Sequence, residues 1–353
     1  MPGSGKNIRR VLLVRNDRLG DLVLTTPSFR VLRTALPEAK IDLLCSTYAE
    51  PVVRGNPCID SIITDRGAHD RSDIRELTAE IRARGYDAAV VFVHSRKNAM
   101  LVRAAGITLR VGPWVKLYAP LFFNRPVRQG RSRGQKNEAG YNIDLLAKLG
   151  IGIPVSAKIP SPEIIADELA VERASTMIAE TFDDPAKCLV VLHPGMGGSA
   201  LNWPLDSWFE LVSILAGNSS VNVAVTGSAS ERELVEQVVG AAGGESNVRA
   251  ICGLGLEEYI GLLSLAKAVV APSTGPVHLA AALGVPRVAG IYSPVLAHHP
   301  MRWGPLGSGE ICTFLPEVTC PARLECLGSK CPEYECMKGI GAEKVAKWVV
   351  SFP

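Results

Sequence analysis

Short apolar runs alternate with amphipathic stretches along the first half of the chain. "RRVLLVR" at Arg9, "KIDLLCS" at Lys40, "SIIT" at Ser61 and "DAAVVFV" at Asp87 are separated by helix-like segments, one ending near Leu36 and one over Asp73 to Arg84. Parallel strands cannot be joined by tight turns and need helical crossovers, so this rhythm predicts a parallel sheet covered by helices on both faces. After the helix "YNIDLLAKLG" comes a Pro-rich, irregular stretch, Ile151 to Pro162. The rhythm then restarts with "CLVVLH", "VNVAVTG", "NVRAIC", "AKAVVAP" and "PRVAGIY". Two such series in 353 residues predict two α/β, Rossmann-like doubly wound domains, over 1–160 and 161–340, facing a cleft. A last helix within 341–353 is expected to pack back across a domain.

Composition narrows the class. With 47% hydrophobic residues the chain can fill two cores, and a net charge of +3 does not demand a nucleic-acid partner. The N-terminal "MPGSGKNIRRVLLV" offers only a short apolar run before Arg15, too short for the centre of a signal peptide. The charge-free region Ala268 to Pro286 is broken by Pro272, Ser273, Thr274, Pro276 and His278, so it does not read as a membrane span. A cytoplasmic protein is expected. Five of nine cysteines, Cys312, Cys320, Cys326, Cys331 and Cys336, crowd near the C-terminus.

Open α/β sheets bind ligands beyond the carboxyl ends of their strands, which directs attention to the loops after Arg15, His193, Gly227, Pro272 and Tyr292. In "RNDRLGDLVLTTP", Gly20 allows a sharp turn, and Asp21 stands near a helix start, with Thr26 and Pro27 suited to the next first turn. Asp21 can complement the helix dipole or act as a general base, and both readings stay open. "HPGMGGSALNWP" has neither the lysine of a phosphate-binding P-loop nor a GxGxxG pattern. Gly195, Gly197 and Gly198 would still let backbone N–H groups approach an anion, ahead of a helix beginning near Leu205. In "APSTGPVHLAAALGVP", Ser273, Thr274 and Gly275 turn into another helix N-terminus, and two such turns suit a diphosphate. His278 takes a supporting role there, and Glu231 is either a ribose ligand or an ordinary helix-start acid.

The blocks "VLLVRNDRLGDLVLTTPSFRVLRTALPEAKIDLL", "LHPGMGGSALNWPLDSWFEL" and "APSTGPVHLAAALGVPRVAGIYSP…RWGP" resemble, in order and over nearly the whole chain, those of glycosyltransferase family 9, the ADP-heptose:lipopolysaccharide heptosyltransferases. The resemblance implies a GT-B fold, an acceptor-binding N-terminal half and a donor-binding C-terminal half, and inverting transfer of heptose from ADP-heptose to a lipopolysaccharide inner-core acceptor. It implies Asp21 as general base. The donor would be held by Gly195, Gly197, Gly198, Ser199, Ser273, Thr274, Gly275 and His278, with Glu231 at the ribose and Leu254 and Gly255 at the adenine. No Asp-x-Asp triplet occurs, which suits a reaction without metal or other cofactor, in which N–H groups and helix N-termini stabilise the departing diphosphate. Where the family carries Lys or Arg two residues before the Trp of "WP", this chain has Leu201, so a different nucleotide-sugar donor is an alternative.

Arg125, Arg128, Arg131, Arg133 and Lys136, in "LFFNRPVRQGRSRGQKN", contain no acid among them. They form either a solvated loop or, with Arg18, an acceptor-binding surface for a phosphate-rich lipid A core. The same cluster could bring the protein to the anionic inner face of the membrane; no RNA-binding motif accompanies it. Cys320, Cys326, Cys331 and Cys336 are spaced more loosely than paired C-x-x-C ligands, so free thiols are favoured over a structural metal. Competing classes are a nucleotide-sugar epimerase of the same architecture, which needs no acceptor, and a non-catalytic scaffold.

Overall fold

The computed structural model describes residues 8–67, 71–154, 157–198 and 200–351. The chain divides into two compact units. One takes the chain up to Arg131 and from Glu138 to Ile165, the other Ser132–Asn137 and everything from Ala166.

In the first unit, β1 (Arg10–Val14), β2 (Lys40–Ser46), β3 (Ser61–Asp65), β4 (Ala88–Val91), β5 (Leu109–Pro113) and β6 (Arg125–Val127) form a parallel sheet in the order β3-β2-β1-β4-β5-β6. The second unit repeats the plan with β7 (Cys188–Leu192), β8 (Val221–Gly227), β9 (Val248–Cys252), β10 (Ala268–Pro272), β11 (Arg287–Ile291) and β12 (Glu310–Phe314), in the order β12-β11-β10-β7-β8-β9. The fold is therefore α/β with two six-stranded parallel sheets. Residues Val11 to Val14, Leu189 to Leu192 and Ala268 to Pro272 are buried without alternation, because helices cover both faces of each sheet.

In each sheet the strand order reverses beside the first strand, between β1 and β4 and between β7 and β10. At that point crossovers leave in opposite directions and open a crevice at the carboxyl ends. β1 pairs with both neighbours, Val11 facing Ile41 and Ala88; β10 pairs with β7 through Val270 and Leu192, and His193 N–H then bonds the Val270 carbonyl at 2.9 Å.

Three strands lie outside the sequence rhythm. β5 ends in Gly-Pro, β6 has three residues inside the basic stretch, and β12 is an edge strand with one buried residue. β6 and β12 are edges, which tolerate polar and Pro-containing strands because only one side must pair, whereas β5 pairs with both β4 and β6 and carries its proline at the strand's end. The last helix, Ala342–Val350, expected to pack back across a domain, packs on the second sheet. Its Val345, Ala346 and Val349 join the core formed with β10, β11 and helix Leu205–Ala216. Trp203 anchors the loop after β7 in the same core, its ring 5.1 Å from Trp208 and its indole N–H donating to the Ile340 carbonyl at 3.1 Å.

Candidate functional site

The first sheet reverses at Arg15, which is 3% exposed although charged. Its guanidinium donates to the Phe92 carbonyl at the end of β4, 3.2 Å away, and forms an ion pair with Asp21. Its Nε lies 2.7 Å from Asp17 Oδ1 but out of line for a hydrogen bond. Asp21 falls in the first turn of the short helix Leu19–Val23 with its side chain 14% exposed, so a mostly buried carboxylate stands against a buried cation next to the strand reversal. Thr26 and Pro27 open helix Thr26–Ala35, as their types suggest. Arg18, at the N-cap of the Asp21 helix, is exposed and makes no side-chain cap bond.

A hydrogen-bond chain fixes the Asp21 turn from behind. Thr25 Oγ1 donates to the Asp21 carbonyl at 2.7 Å, and buried Asn142 donates to Thr25 Oγ1 at 3.1 Å and to the Leu24 carbonyl at 3.2 Å. Arg131 donates to Asn142 Oδ1 at 3.3 Å while pairing with Glu138, a carboxylate only 1% exposed. Arg131, expected at the acceptor, is bonded to Asn142 and Glu138 in this structure. Its partner Glu138 stands one residue past the acid-free segment. Beside this turn, Asn16 donates to Asp65 at 2.7 Å and exchanges bonds with Asn98, and Lys97 reaches Asp65 at 2.9 Å.

The second crevice is built from neutral groups. Gly198 has φ +71°, a left-handed conformation that costs any other L-residue energy, and its N–H bonds the Met196 carbonyl at 2.6 Å. A Cβ on Gly195 would collide with the Glu231 carboxylate, whereas Gly197 faces open space. Asn202 ties this loop down, donating to the Pro194 carbonyl at 2.9 Å. On adjacent β10, Thr274 N–H and Oγ1 both return to the Pro272 carbonyl, at 2.7 and 3.2 Å, and Gly275 opens helix Gly275–Ala282. The glycine and Ser-Thr-Gly turns therefore stand on neighbouring strands. Ser199 lies outside the described residues.

Glu231 receives the Ser228 N–H at 2.9 Å and the Ser228 hydroxyl at 2.8 Å. Burial pushes its carboxyl up, but these bonds and nearby His193 outweigh it and hold it below the usual carboxylate range. After β9, Gly255 N–H is taken by Glu258 at 3.0 Å, with Leu254 just ahead of it, and Gly253 N–H bonds the Gly227 carbonyl at 3.0 Å. These bonds bring Glu231, Leu254 and Gly255 to one end of the sheet. His278 lies beneath the Ser-Thr-Gly turn, 4% exposed, its Nδ1 without a hydrogen-bond partner and its pKa pushed down to about 4 by burial.

Sequence reasoning missed His193, Thr226 and Tyr259. His193 Nδ1 lies 3.1 Å from Thr226 Oγ1 and 3.4 Å from the Tyr259 hydroxyl, and burial lowers its pKa to about 4 against the opposing pull of Glu231. His193 directly precedes Pro194 and the glycines, and a polar ring ending an apolar strand was the available signal. Among the remaining arginines, Arg125 lies in edge strand β6, Arg128 stacks 4.1 Å over the Trp114 ring, and Arg133 and Lys136 fall in the segment that clusters with the second unit. Leu201 lines a cavity of about 240 Å³ together with Cys320, Cys326, Cys331 and Cys336. All nine cysteines are free, and among the described residues no three His, Cys, Asp or Glu side chains are disposed to hold a metal ion. No helix of the described residues is long and apolar enough to cross a membrane.

The chain is similar to known proteins. A relative from Haemophilus influenzae, named only as a glycosyltransferase, is 30% identical over 302 residues, covering 85% of this chain and 86% of its own. Lipopolysaccharide heptosyltransferase 2 of Salmonella typhimurium is 26% identical over 296 residues, covering 81% and 83%. Among solved structures, the family 9 glycosyltransferase of Veillonella parvula superposes with a TM-score of 0.81 at 20% identity over 98% of this chain and 97% of that one. The E. coli ADP-heptose lipopolysaccharide heptosyltransferase II gives 0.77 at 21% over 96% of each. Their likeness identifies the fold as GT-B. The profile described as glycosyltransferase family 9 (heptosyltransferase) matches residues 74–331, well over half of a chain whose two sheets carry a carboxylate turn and paired glycine turns at their reversal points, and the protein belongs to that family.

Proposed function

We propose that the protein transfers heptose from ADP-heptose to an inner-core lipopolysaccharide acceptor, with inversion and without a metal ion. The observation that carries this reading is the division of labour between the two strand reversals: an ion-paired carboxylate, Asp21, at one, and paired glycine and Ser-Thr-Gly turns on adjacent strands at the other. Asp21 accepts the proton of the acceptor hydroxyl as that oxygen bonds the anomeric carbon. The bond from that carbon to the diphosphate oxygen breaks, and the nucleotide diphosphate leaves with the electron pair. The first-turn N–H groups of helices Leu205–Ala216 and Gly275–Ala282 offset the charge that accumulates on it. Glu231 binds the ribose, and Arg18 with Arg125 and Arg128 meets the acceptor's phosphates. Domains 1–160 and 161–340 would then hold acceptor and donor, at the cytoplasmic side of the membrane.

Leu201 favours a second reading in which the family chemistry stands but the donor is another nucleotide sugar. The side chain at this position packs into an apolar wall and supplies no cation to a diphosphate. Calorimetry with ADP-heptose and other ADP- and UDP-sugars, followed by turnover on a deacylated core acceptor with and without EDTA, separates the two. Transfer from ADP-heptose that survives EDTA is expected. Failure of ADP-heptose to bind where another nucleotide sugar does would overturn the heptosyl assignment alone.

A further inference from the structure

Between Ala88 and Asn137 the chain carries ten Arg and Lys residues and no Asp or Glu, while the whole protein is only +3. The same stretch displays large apolar side chains on the surface of the first unit: Leu117 is 95% exposed, Leu121 64%, Val115 58% and Met100 48%. A lone exposed leucine is ordinary, but a group of four is not. Met100 lies on helix Arg96–Ala104, which packs against the short helix Ala119–Phe122 that carries Leu121. Arg103 joins them, donating to the Leu121 carbonyl with its guanidinium 5.8 Å from the Phe122 ring. Ala119 and Phe123 point into the core, at 1% and 3% exposure, so Leu117 and Leu121 are turned outward on a well-anchored base.

We infer that this face docks on an anionic lipid bilayer, with Val115, Leu117, Leu121 and Met100 entering the acyl boundary and Arg103 and Lys116 meeting the headgroups. Aliphatic side chains flanked by cations, here Arg103 and Lys116, are what such an interface selects: the apolar groups leave water and the cations face negative lipid. A second copy of the same face would repel it by charge, and a nucleic acid has no apolar surface to receive leucines. The inference stands whichever sugar the enzyme transfers, because it needs neither donor nor acceptor.

The test is co-sedimentation of the full chain with phosphatidylcholine vesicles and with vesicles containing one quarter phosphatidylglycerol, at low and high salt. Binding is expected on the anionic vesicles only. It should weaken about fivefold in Lys116→Gln and at least tenfold in Leu117→Ser/Leu121→Ser, and should survive millimolar inorganic phosphate. Leu117→Ser alone, at the most exposed position, serves as the fold-neutral variant, with an unchanged melting temperature as its control. Equal binding by the serine variants, equal binding to neutral vesicles, or loss of binding in millimolar phosphate would overturn the inference. So would a self-association that disappears in the serine variants, which would assign the face to a second copy.

Discussion

The two strand reversals share a geometry but differ in chemistry. Around β1 and β4 the crevice is charged: Arg15, Asp21, Asp17, Asp65 and Lys97 lie together, several of them buried and held by one another. Around β7 and β10 it is built of glycine, backbone N–H, hydroxyls and histidines that burial keeps neutral. A parallel sheet provides the crevice in both places, and the side chains decide its use. Charges held in place can move a proton, whereas fixed dipoles can hold a polyanion without titrating.

The sharpest way to break this contrast is Asp21→Asn. Turnover is expected to fall by about 10²- to 10⁴-fold while calorimetric affinity for the nucleotide stays unchanged; a matching loss of donor affinity would end the division of roles. Gly198→Val attacks the other crevice. Forcing a branched residue into a left-handed turn costs about 1–2 kcal/mol, so donor affinity should drop about tenfold with little change in kcat at saturation.

The neutral histidines predict a pH dependence confined to the second unit. Their pKa values near 4 lie below the unfolded value of about 6.5, so the unfolded chain binds protons first as pH falls. The stability they contribute is complete above about pH 6.5 and is lost progressively toward pH 4, on the order of 3 kcal/mol for His278. Melting curves across this range should show the loss, and His278→Gln should flatten it. The smallest effect concerns the support behind Asp21. Asn142→Ala removes the bonds to Leu24 and Thr25, and a drop of about 1–2 kcal/mol in stability with a several-fold lower kcat is expected. An unchanged kcat would show that the Asp21 turn holds itself.

The apolar runs made both sheets legible, because strands buried on two faces must be written as continuous Val, Leu and Ile. β6 and β12 escaped because edge strands need no such runs, and β5, paired on both sides, because Arg110, Gly112 and Pro113 interrupt its apolar pattern. The Gly195 and Gly198 turns could be read as special, since glycine marks backbone that other residues resist. Which glycine mattered for what could not: Gly198 answers to its own dihedral, while Gly195 answers to the Glu231 carboxylate across the sheet end. Arg131 illustrates the same limit. As one of a run of cations it looked available, and only the fold brings Glu138 and Asn142 to it.

The sequence by itself determined the two α/β series and the loops at their strand ends, because periodicity and chain punctuation are local properties. Only the tertiary structure decided which loops become neighbours, which arginines are already partnered, and that His193 meets Thr226 and Tyr259, because those depend on strand order. Burial was decided there too: the same imidazole that titrates near neutrality in water is held neutral beneath the Ser-Thr-Gly turn.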